Sequence, residues 1–211
     1  MVITKIAKSR RQRGRFEVFI EGRPPIHLSE TLLTKSGWRT GSMLDDTEIE
    51  QCIASDARER ANQIAMNLIS YRPRSTKEIV DKLTRKGFSK DITSRTVDQL
   101  RSLNLLNDAS FARMYVRDKL RGKPMGKAMI RNKLREKGIP SEVGDQAIDE
   151  YVSDEQEQQA AKALAVRKLR LSRSKFASLD PMTRKRRLIE YLLGRGFSRE
   201  IASSAVRRII P

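Results

Sequence analysis

Three segments of the chain share one order of apolar and polar positions: Ile79–Leu100, Ile130–Tyr151 and Leu188–Ile209. Their centres align without gaps and read LTRKGFSKDI, LREKGIPSEV and LLGRGFSREI. Apolar residues four positions apart before the shared glycine, as at Ile79 and Leu83, indicate one buried face of a helix. A glycine directly after such a pattern is typical of a left-handed helix cap. Each segment is therefore predicted to hold a helix, a turn and a second helix.

A further helix is predicted ahead of each pair, which gives three helices in every repeat. These first helices are predicted at Ala57–Ser70, Asp108–Arg121 and Asp154 to about Leu171. One signal for the start of a helix is a capping box, in which a Ser or Thr is followed three residues later by Glu or Gln. Another is an Asp directly before a Pro. The chain carries these signals at three places: Ser75 with Glu78, Ser153 with Gln156, and Asp180 with Pro181.

The first fifty residues follow a different pattern. Phe16, Val18 and Ile20 alternate with Glu17, Phe19 and Glu21, and Gly22–Pro25 interrupts the run before Ile26–Leu28. This predicts a small β-hairpin, and Ser36–Thr47 is predicted to be a turn-rich connector. The fold class is therefore mainly α, with three tandem three-helix repeats after an N-terminal hairpin region. The predicted divisions are residues 1–55 for the hairpin and connector, then 56–104, 105–152 and 153–211 for the repeats.

Charge changes the picture, because 44 Lys and Arg stand against 26 Asp and Glu and give a formal net charge of +18. The four predicted segments carry net charges of +2, +5, +3 and +8. Each also contains enough apolar residues to fold, so the charge is expected on a folded surface rather than on a disordered arm. A surplus of this size favours a polyanionic partner. The alternative is a set of basic helix faces that serve only solvation.

The richest basic stretch is Arg117–Lys137, with nine basic residues against two acidic ones. Within it Lys127, Arg131 and Arg135 recur every four residues beside apolar positions, which predicts a charged ridge on one helix. The ridge is expected to contact phosphates or protein carboxylates, with a solvated helix face as the alternative. The candidate contact residues of all three repeats are Arg72, Arg74, Lys77, Lys82, Arg117, Arg121, Lys123, Lys127, Arg131, Arg135, Arg184, Lys185, Arg186 and Arg187.

Catalytic chemistry is hard to find in this chain. The single histidine, His27, has no second histidine for a metal site and is expected to be structural. The glycines of Gly122–Lys127 are too close together for a phosphate-binding Walker loop. We therefore expect no catalytic residues, no metal and no cofactor. The lone Cys52 excludes an internal disulfide, and the lack of a signal peptide or a long apolar stretch favours a cytoplasmic protein without membrane contact.

Three stretches together resemble the RecX family of RecA regulators: SYRPRSTKEIVDKLTRKGFS, DASFARMYVRDKL and IRNKLREKGIPSEV. The resemblance extends over about residues 1 to 211. It implies an elongated, curved solenoid that acts as a monomer and lodges in the groove of the RecA filament. It further implies inhibition of RecA's ATP hydrolysis, strand exchange and coprotease activity, by limiting filament growth or promoting disassembly. Weak or nonspecific binding to single- and double-stranded DNA is implied as well.

Two other classes share these features. One is a DNA- or RNA-binding helical protein that acts without RecA, and the other is a scaffold for acidic proteins. The second repeat also departs from its neighbours at Pro140 and Gly144. A glycine inside a helix costs roughly 1 kcal/mol relative to alanine, so the helix around Gly144 is expected to contain a flexible interruption.

Overall fold

The computed structural model describes residues 1–10 and 12–210. It is mostly helical and has a small N-terminal sheet. By contacts the chain forms two compact units. The first holds Met1–Arg72 and Ile79–Ser102, and the second holds Pro73–Glu78 together with the chain from Leu103 onward. The division into four segments made from the sequence stays a prediction.

The N-terminal sheet has three strands rather than the two of the predicted hairpin. Strands β1 (Ile3–Lys8), β2 (Arg15–Ile20) and β3 (Ile26–Ser29) lie antiparallel in that order. The pairing of β2 with β3 confirms the hairpin. Strand β1 escaped prediction because its register shifts between Ile3 and Lys5, which breaks the alternation of apolar and polar positions.

The helix that was predicted to begin at Ala57 begins eleven residues earlier. Helix α1 (Glu30–Ser36) follows β3, and helix α2 (Asp46–Tyr71) starts within the predicted connector. The start of α2 has a capping box, in which Asp45 accepts from the Glu48 N–H and the Glu48 carboxylate accepts from the Asp45 N–H. The prediction of a connector was therefore wrong at its C-terminal end, because Asp45 caps a helix there rather than beginning a turn.

The first unit has its core between the sheet and the start of α2. Its buried side chains include Ile3, Val18, Leu28 and Ile49, and Cys52 packs with them. Burial, with a smaller contribution from Asp56, raises the pKa of the Cys52 thiol to about 11. Cys52 thus behaves as the small structural side chain that was expected.

A buried carboxylate ties the sheet to α2. Asp56 is 3% exposed, and its Oδ2 lies 2.6 Å from Nη2 of Arg15. Its Oδ1 accepts from the Ser29 N–H at 2.9 Å. A buried charge needs such partners to offset its desolvation, so this acid belongs to the fold.

The three helix pairs of the repeats lie where the sequence predicts them. The middle helices are α3 (Thr76–Arg85), α6 (Lys127–Glu136) and α10 (Pro181–Leu193). Each is followed by a last helix, which is α4 (Lys90–Ser102), α7 (Ser141–Tyr151) or α11 (Arg199–Arg207). The glycines between the two helices all have left-handed backbones, with φ of 83° at Gly87, 76° at Gly138 and 82° at Gly196.

The second and third repeats begin with α5 (Asp108–Leu120) and α8 (Asp154–Leu171), and the short α9 (Arg173–Ala177) follows α8. Each repeat has a core of its own, built on Ile130, Leu134 and Ile148 in the second and on Leu164, Leu188 and Leu192 in the third. All of these apolar residues except Leu164 are ones that the repeated pattern placed on the buried helix faces.

The expected interruption at Gly144 is absent, because α7 runs through this residue without a break. Gly144 is buried. A Cβ atom built on it would lie 3.5 Å from Cδ1 of Leu134, which is ordinary van der Waals contact. The helix is therefore continuous at this glycine, and the space beside it would accept a methyl group.

Candidate interaction surface

The residues that the structure describes contain no group of three or more His, Cys, Asp or Glu side chains placed to hold a metal ion. His27 lies on β3 with its Nδ1 4.0 Å from Oε1 of Glu17, which is a loose surface contact. Within the described part of the chain, no helix is both long and apolar enough to cross a membrane. The basic surface is accordingly the feature from which a function has to be argued.

The predicted ridge on α6 is largely neutralised within the protein. The Lys127 ammonium lies 2.9 Å from Asp154 and 3.5 Å from Asp149, and its side chain is only 20% exposed. The hydrogen bond to Asp154 raises the pKa of Lys127. Arg131 pairs with Asp145 on α7. These two cations therefore contribute less to the external field than their spacing suggests.

Arg135, the third member of the ridge, differs from the other two. Its guanidinium donates to Oδ1 of Asn132 at 3.0 Å, and the residue is exposed. Within the described residues no carboxylate lies within ion-pair distance of it. Arg135 is thus the member of the ridge whose charge is most available to a partner.

The starts of α6 and α3 share one backbone arrangement. The Lys127 N–H, at the start of α6, donates to the buried Glu157 carboxylate on α8 at 2.8 Å. At the start of α3 the Thr76 N–H donates to Asp108 on α5, also at 2.8 Å. The first free N–H groups of a helix need such acceptors. Here an acid from the first helix of the following repeat supplies one each time.

The helix-ending glycines complete these arrangements. We call the contact of Ser75–Glu78 with Asp108 and Glu136–Gly138 the first junction; it lies wholly in the second unit. The Ser75 hydroxyl donates to the Lys137 carbonyl at 2.7 Å. The Lys77 ammonium donates to the Glu136 carbonyl at 3.1 Å. A Cβ on Gly138 would come within 2.6 Å of the Lys77 Cβ, so Lys77 is a packing residue of this junction.

The second junction, of Gly126–Met129 with Glu157 and Arg195–Gly196, repeats the first. The Gly126 N–H donates to the Arg195 carbonyl at 2.9 Å, and the Ala128 N–H donates to the Gly196 carbonyl at 3.2 Å. A Cβ on Gly196 would lie 2.4 Å from the Met129 Cβ, and one on Gly126 would lie 2.1 Å from the Gly196 oxygen. Two backbones therefore touch directly at this point.

The remaining candidates differ in how far they are engaged. Arg184 donates to the Leu179 carbonyl at 3.0 Å, so it holds the turn before α10. The Arg117 guanidinium lies 5.9 Å from the ring centre of Tyr151, a cation–π contact. Arg186 is 4.0 Å from Glu190 on its own helix. The exposed or half-exposed candidates that flank helices or lie on them are Arg72, Arg74, Lys82, Arg121, Lys123, Lys185 and Arg187.

The sequence interpretation missed the basic side chains of α8. Residues 158–179 contain six Lys or Arg and no Asp or Glu, a signal that was available in the sequence. Arg167 and Lys168 from this run line one groove with Lys123, Tyr191 and Arg195. Arg195 is not among the candidates from the sequence, because a cation before a helix-ending glycine is explained by the helix dipole alone. The structure brings it together with Lys123, which lies 72 positions earlier in the chain.

Comparison with known proteins gives three family-model matches in tandem. The first, second and third three-helix domains of RecX match residues 61–100, 107–148 and 154–206 respectively. Each match coincides with one of the repeats found in the sequence.

Relatives and a solved structure agree with these matches. A protein named regulatory protein RecX from Prosthecochloris aestuarii is 36% identical over 143 residues, which cover 68% of this chain and 88% of that protein. One of the same name from Lactobacillus gasseri is 32% identical over 154 residues, covering 73% of this chain and 56% of that longer protein. A crystal structure of regulatory protein RecX has a TM-score of 0.69 at 26% identity and covers 95% of this chain and 96% of its own.

Proposed function

This chain belongs to the RecX family, and from that membership we propose that it regulates the RecA recombinase by binding the RecA–DNA filament in its groove. Bound there, it limits filament growth or promotes filament disassembly, and so lowers RecA's ATP hydrolysis, strand exchange and coprotease activity. The observation that carries the proposal is the set of three RecX three-helix domains in tandem over residues 61–206.

The charge of the chain supports this function. A filament of protein on DNA presents a long row of phosphates, and the net charge of +18 attracts such a polyanion over a distance set by the salt concentration. The cations proposed to act at the filament are those with no carboxylate partner within the described residues, such as Arg135 on α6 and Arg187 on α10. Binding energy spread over several repeats requires no single deep pocket.

No step in this function requires chemistry from the chain itself. The nucleotide that is hydrolysed belongs to RecA, and the protein acts by shifting the balance between assembled and free RecA. We therefore expect the purified chain to hydrolyse no ATP. We also expect it to work as a monomer, because the apolar faces of its repeats are covered within one chain.

The decisive experiment measures RecA's ATP hydrolysis on single-stranded DNA while this protein is titrated in. We expect the rate to fall at substoichiometric amounts, since each bound molecule affects more than one RecA subunit at a filament end or break. Fluorescence microscopy of single filaments then separates slower growth from faster shortening. An unchanged hydrolysis rate with saturating protein would overturn the proposal.

A second candidate function is direct binding to DNA or RNA without RecA. The acid-free groove beside α8 favours it, because four cations there have no carboxylate among the lining residues. A pull-down from lysate with and without nuclease distinguishes the two functions. RecA that remains bound after nuclease treatment supports the regulator, and loss of every partner supports the direct binder.

A further inference from the structure

The groove beside α8 is a basic concavity lined by residues of the second and third repeats. It has a volume of about 240 Å³ and is lined chiefly by Lys123, Arg167, Lys168, Ser172, Tyr191 and Arg195. None of its lining residues is acidic. Like charges held this close repel one another, so a fold keeps them together at some cost in stability unless an anion lies between them.

An aromatic ring holds two of these cations in place. The Lys168 ammonium lies 5.1 Å from the ring centre of Tyr191, and the Arg195 guanidinium lies 5.4 Å from it. A cation over a ring is attracted to it but keeps its full charge, unlike a cation paired with a carboxylate. Both charges are therefore positioned before any ligand arrives, which lowers the entropy cost of binding.

The second junction brings the third cation to the groove. Lys123 lies in the loop between α5 and α6, three residues before Gly126. The Gly126 N–H donates to the carbonyl of Arg195 at 2.9 Å, so this loop is fixed beside the end of α10. The groove thus requires both repeats, since Lys123 comes from the second repeat and the other cations come from the third.

The first junction shows what a neutralised version of this arrangement looks like. There Lys137 holds the position of Arg195, and its ammonium lies 2.6 Å from Glu78. The repeat register places Met129 at the position of Glu78 in the second junction. The position that holds the carboxylate partner of Lys137 is therefore occupied by an uncharged side chain in the second junction. This difference between the repeats leaves the charge of Arg195 available to an external anion.

The basic surface continues beyond the groove along α8. A neighbouring cavity of about 480 Å³ is lined by Lys162, Arg167 and Arg170 with the exposed apolar side chain of Val166, and again by no acid. From residue 162 to residue 170 a helix rises about 12 Å. A surface of this length that alternates cations with apolar side chains matches a nucleic acid, in which phosphates alternate with sugars and bases. Guanidinium groups also bind phosphate through paired hydrogen bonds.

From these observations we infer that the α8 groove binds the phosphodiester backbone of a nucleic acid, with Lys123, Arg167, Lys168 and Arg195 around one phosphate. The inference rests on the second candidate function above and deepens it, because it assigns the phosphate contact to four named residues. It also names a place on the surface, whereas the charge of the whole chain names none.

The test uses the full chain, without RecA, and a fluorescein-labelled oligothymidine or a labelled duplex as the probe. Fluorescence anisotropy is measured at several salt concentrations for the wild type and for Lys123→Gln/Arg167→Gln, two exposed positions. We expect about a fivefold loss of affinity for each cation removed. On the single strand, the slope of log affinity against log salt should fall by about 0.7 per lost phosphate contact.

The control variant Lys86→Gln/Lys90→Gln removes the same charge from exposed positions of the first unit. We expect it to bind the probe as the wild type does. Equal losses of affinity in both variants would show that the groove contributes only nonspecific electrostatic attraction. The conservative variant Lys123→Arg/Arg167→Lys should retain binding, which separates loss of charge from loss of fold.

Two further arms identify the ligand. A polyglutamate peptide of matched charge should displace the oligonucleotide only weakly, and equally strong displacement would reassign the groove to acidic protein segments. Comparison of the single strand with the duplex shows which form of nucleic acid is held. RecA's ATP hydrolysis is measured separately, so a variant that loses the oligonucleotide but still inhibits RecA leaves the regulatory function intact.

Discussion

The contact of two backbones at the second junction makes a strong prediction about stability. Replacing Gly196 by alanine has two costs. The residue has φ of 82°, and a side chain in this left-handed region costs about 1–2 kcal/mol. Its Cβ would also come within 2.4 Å of the Met129 Cβ and N, and overpacking of this kind costs about 1–3 kcal/mol. We therefore expect Gly196→Ala to destabilise the third repeat by roughly 3 kcal/mol.

Gly87 supplies the matched control. It occupies the same repeat position with φ of 83°, but a Cβ there would meet no atom within 4 Å. Gly87→Ala should therefore cost only the backbone term of about 1–2 kcal/mol. The difference between the two variants isolates the contact between the repeats.

Native-state hydrogen exchange read by mass spectrometry measures both effects locally. In Gly196→Ala the amide hydrogens of Gly126 and Ala128, which donate to the Arg195 and Gly196 carbonyls, should lose protection before the rest of α6. Gly87→Ala should leave those amides protected. If both variants lose the same free energy and the two amides keep their protection, the reasoning about the junction is refuted.

Three other predictions follow from single contacts. Gly144→Ala should raise the free energy of unfolding by about 0.5–1 kcal/mol in urea denaturation, because the residue lies inside α7 and its new Cβ meets Leu134 at ordinary contact distance. A loss of stability would show that the helices cannot accept a methyl group. Arg135→Glu should weaken inhibition of RecA without changing the circular dichroism spectrum. Lys127→Glu should weaken inhibition and also destabilise the fold, because it places a second carboxylate beside Asp154. Equal effects of the two variants on folding would contradict this prediction. Cys52 should react slowly with a thiol reagent at pH 8 in the native protein and quickly after the protein is unfolded, because the pKa of its thiol is raised to about 11 in the folded core. Fast labelling of the native protein would show that this core is not closed.

The repeat could be predicted from the sequence because its signals are local. Ile79, Ile130 and Leu188 align in the register and are all fully buried. A helix followed by glycine has few alternatives, since only glycine adopts the left-handed cap at low cost. Such features depend on residues within one or two helical turns. The same reasoning placed the caps at Ser153 and Asp180 correctly.

One error lies where distant residues decide the outcome, and the other lies at a local signal that was overlooked. Strand β1 depends on its pairing with β2 and contains a register shift that hides its period. The early start of α2 followed from Asp45, which pairs with Glu48 in a capping box that the interpretation as a connector overlooked.

Which surface candidates are available to a partner could not be predicted from their spacing. The spacing of Lys127 and Arg131 shows that they share a helix face, but it does not show that Asp154 and Asp145 lie opposite them. Partners from other helices decide whether a cation is available, and a spacing pattern contains no information about them. The groove beside α8 needed the fold for the same reason, although the acid-free run 158–179 was visible.

At the second junction the start of α6 is capped by a residue of the following repeat, which affects the order in which the protein folds as it is synthesised. Helix α6 begins at Gly126, which has no side chain to cap it, and its Lys127 N–H is satisfied by Glu157 from the following repeat. By contrast, α10 carries its own cap, Asp180, which accepts from the Thr183 N–H at 3.0 Å. A ribosome releases the second repeat before α8 exists, so the beginning of α6 has to wait for residues that are not yet synthesised. The start of α10 therefore needs no acceptor from a later part of the chain.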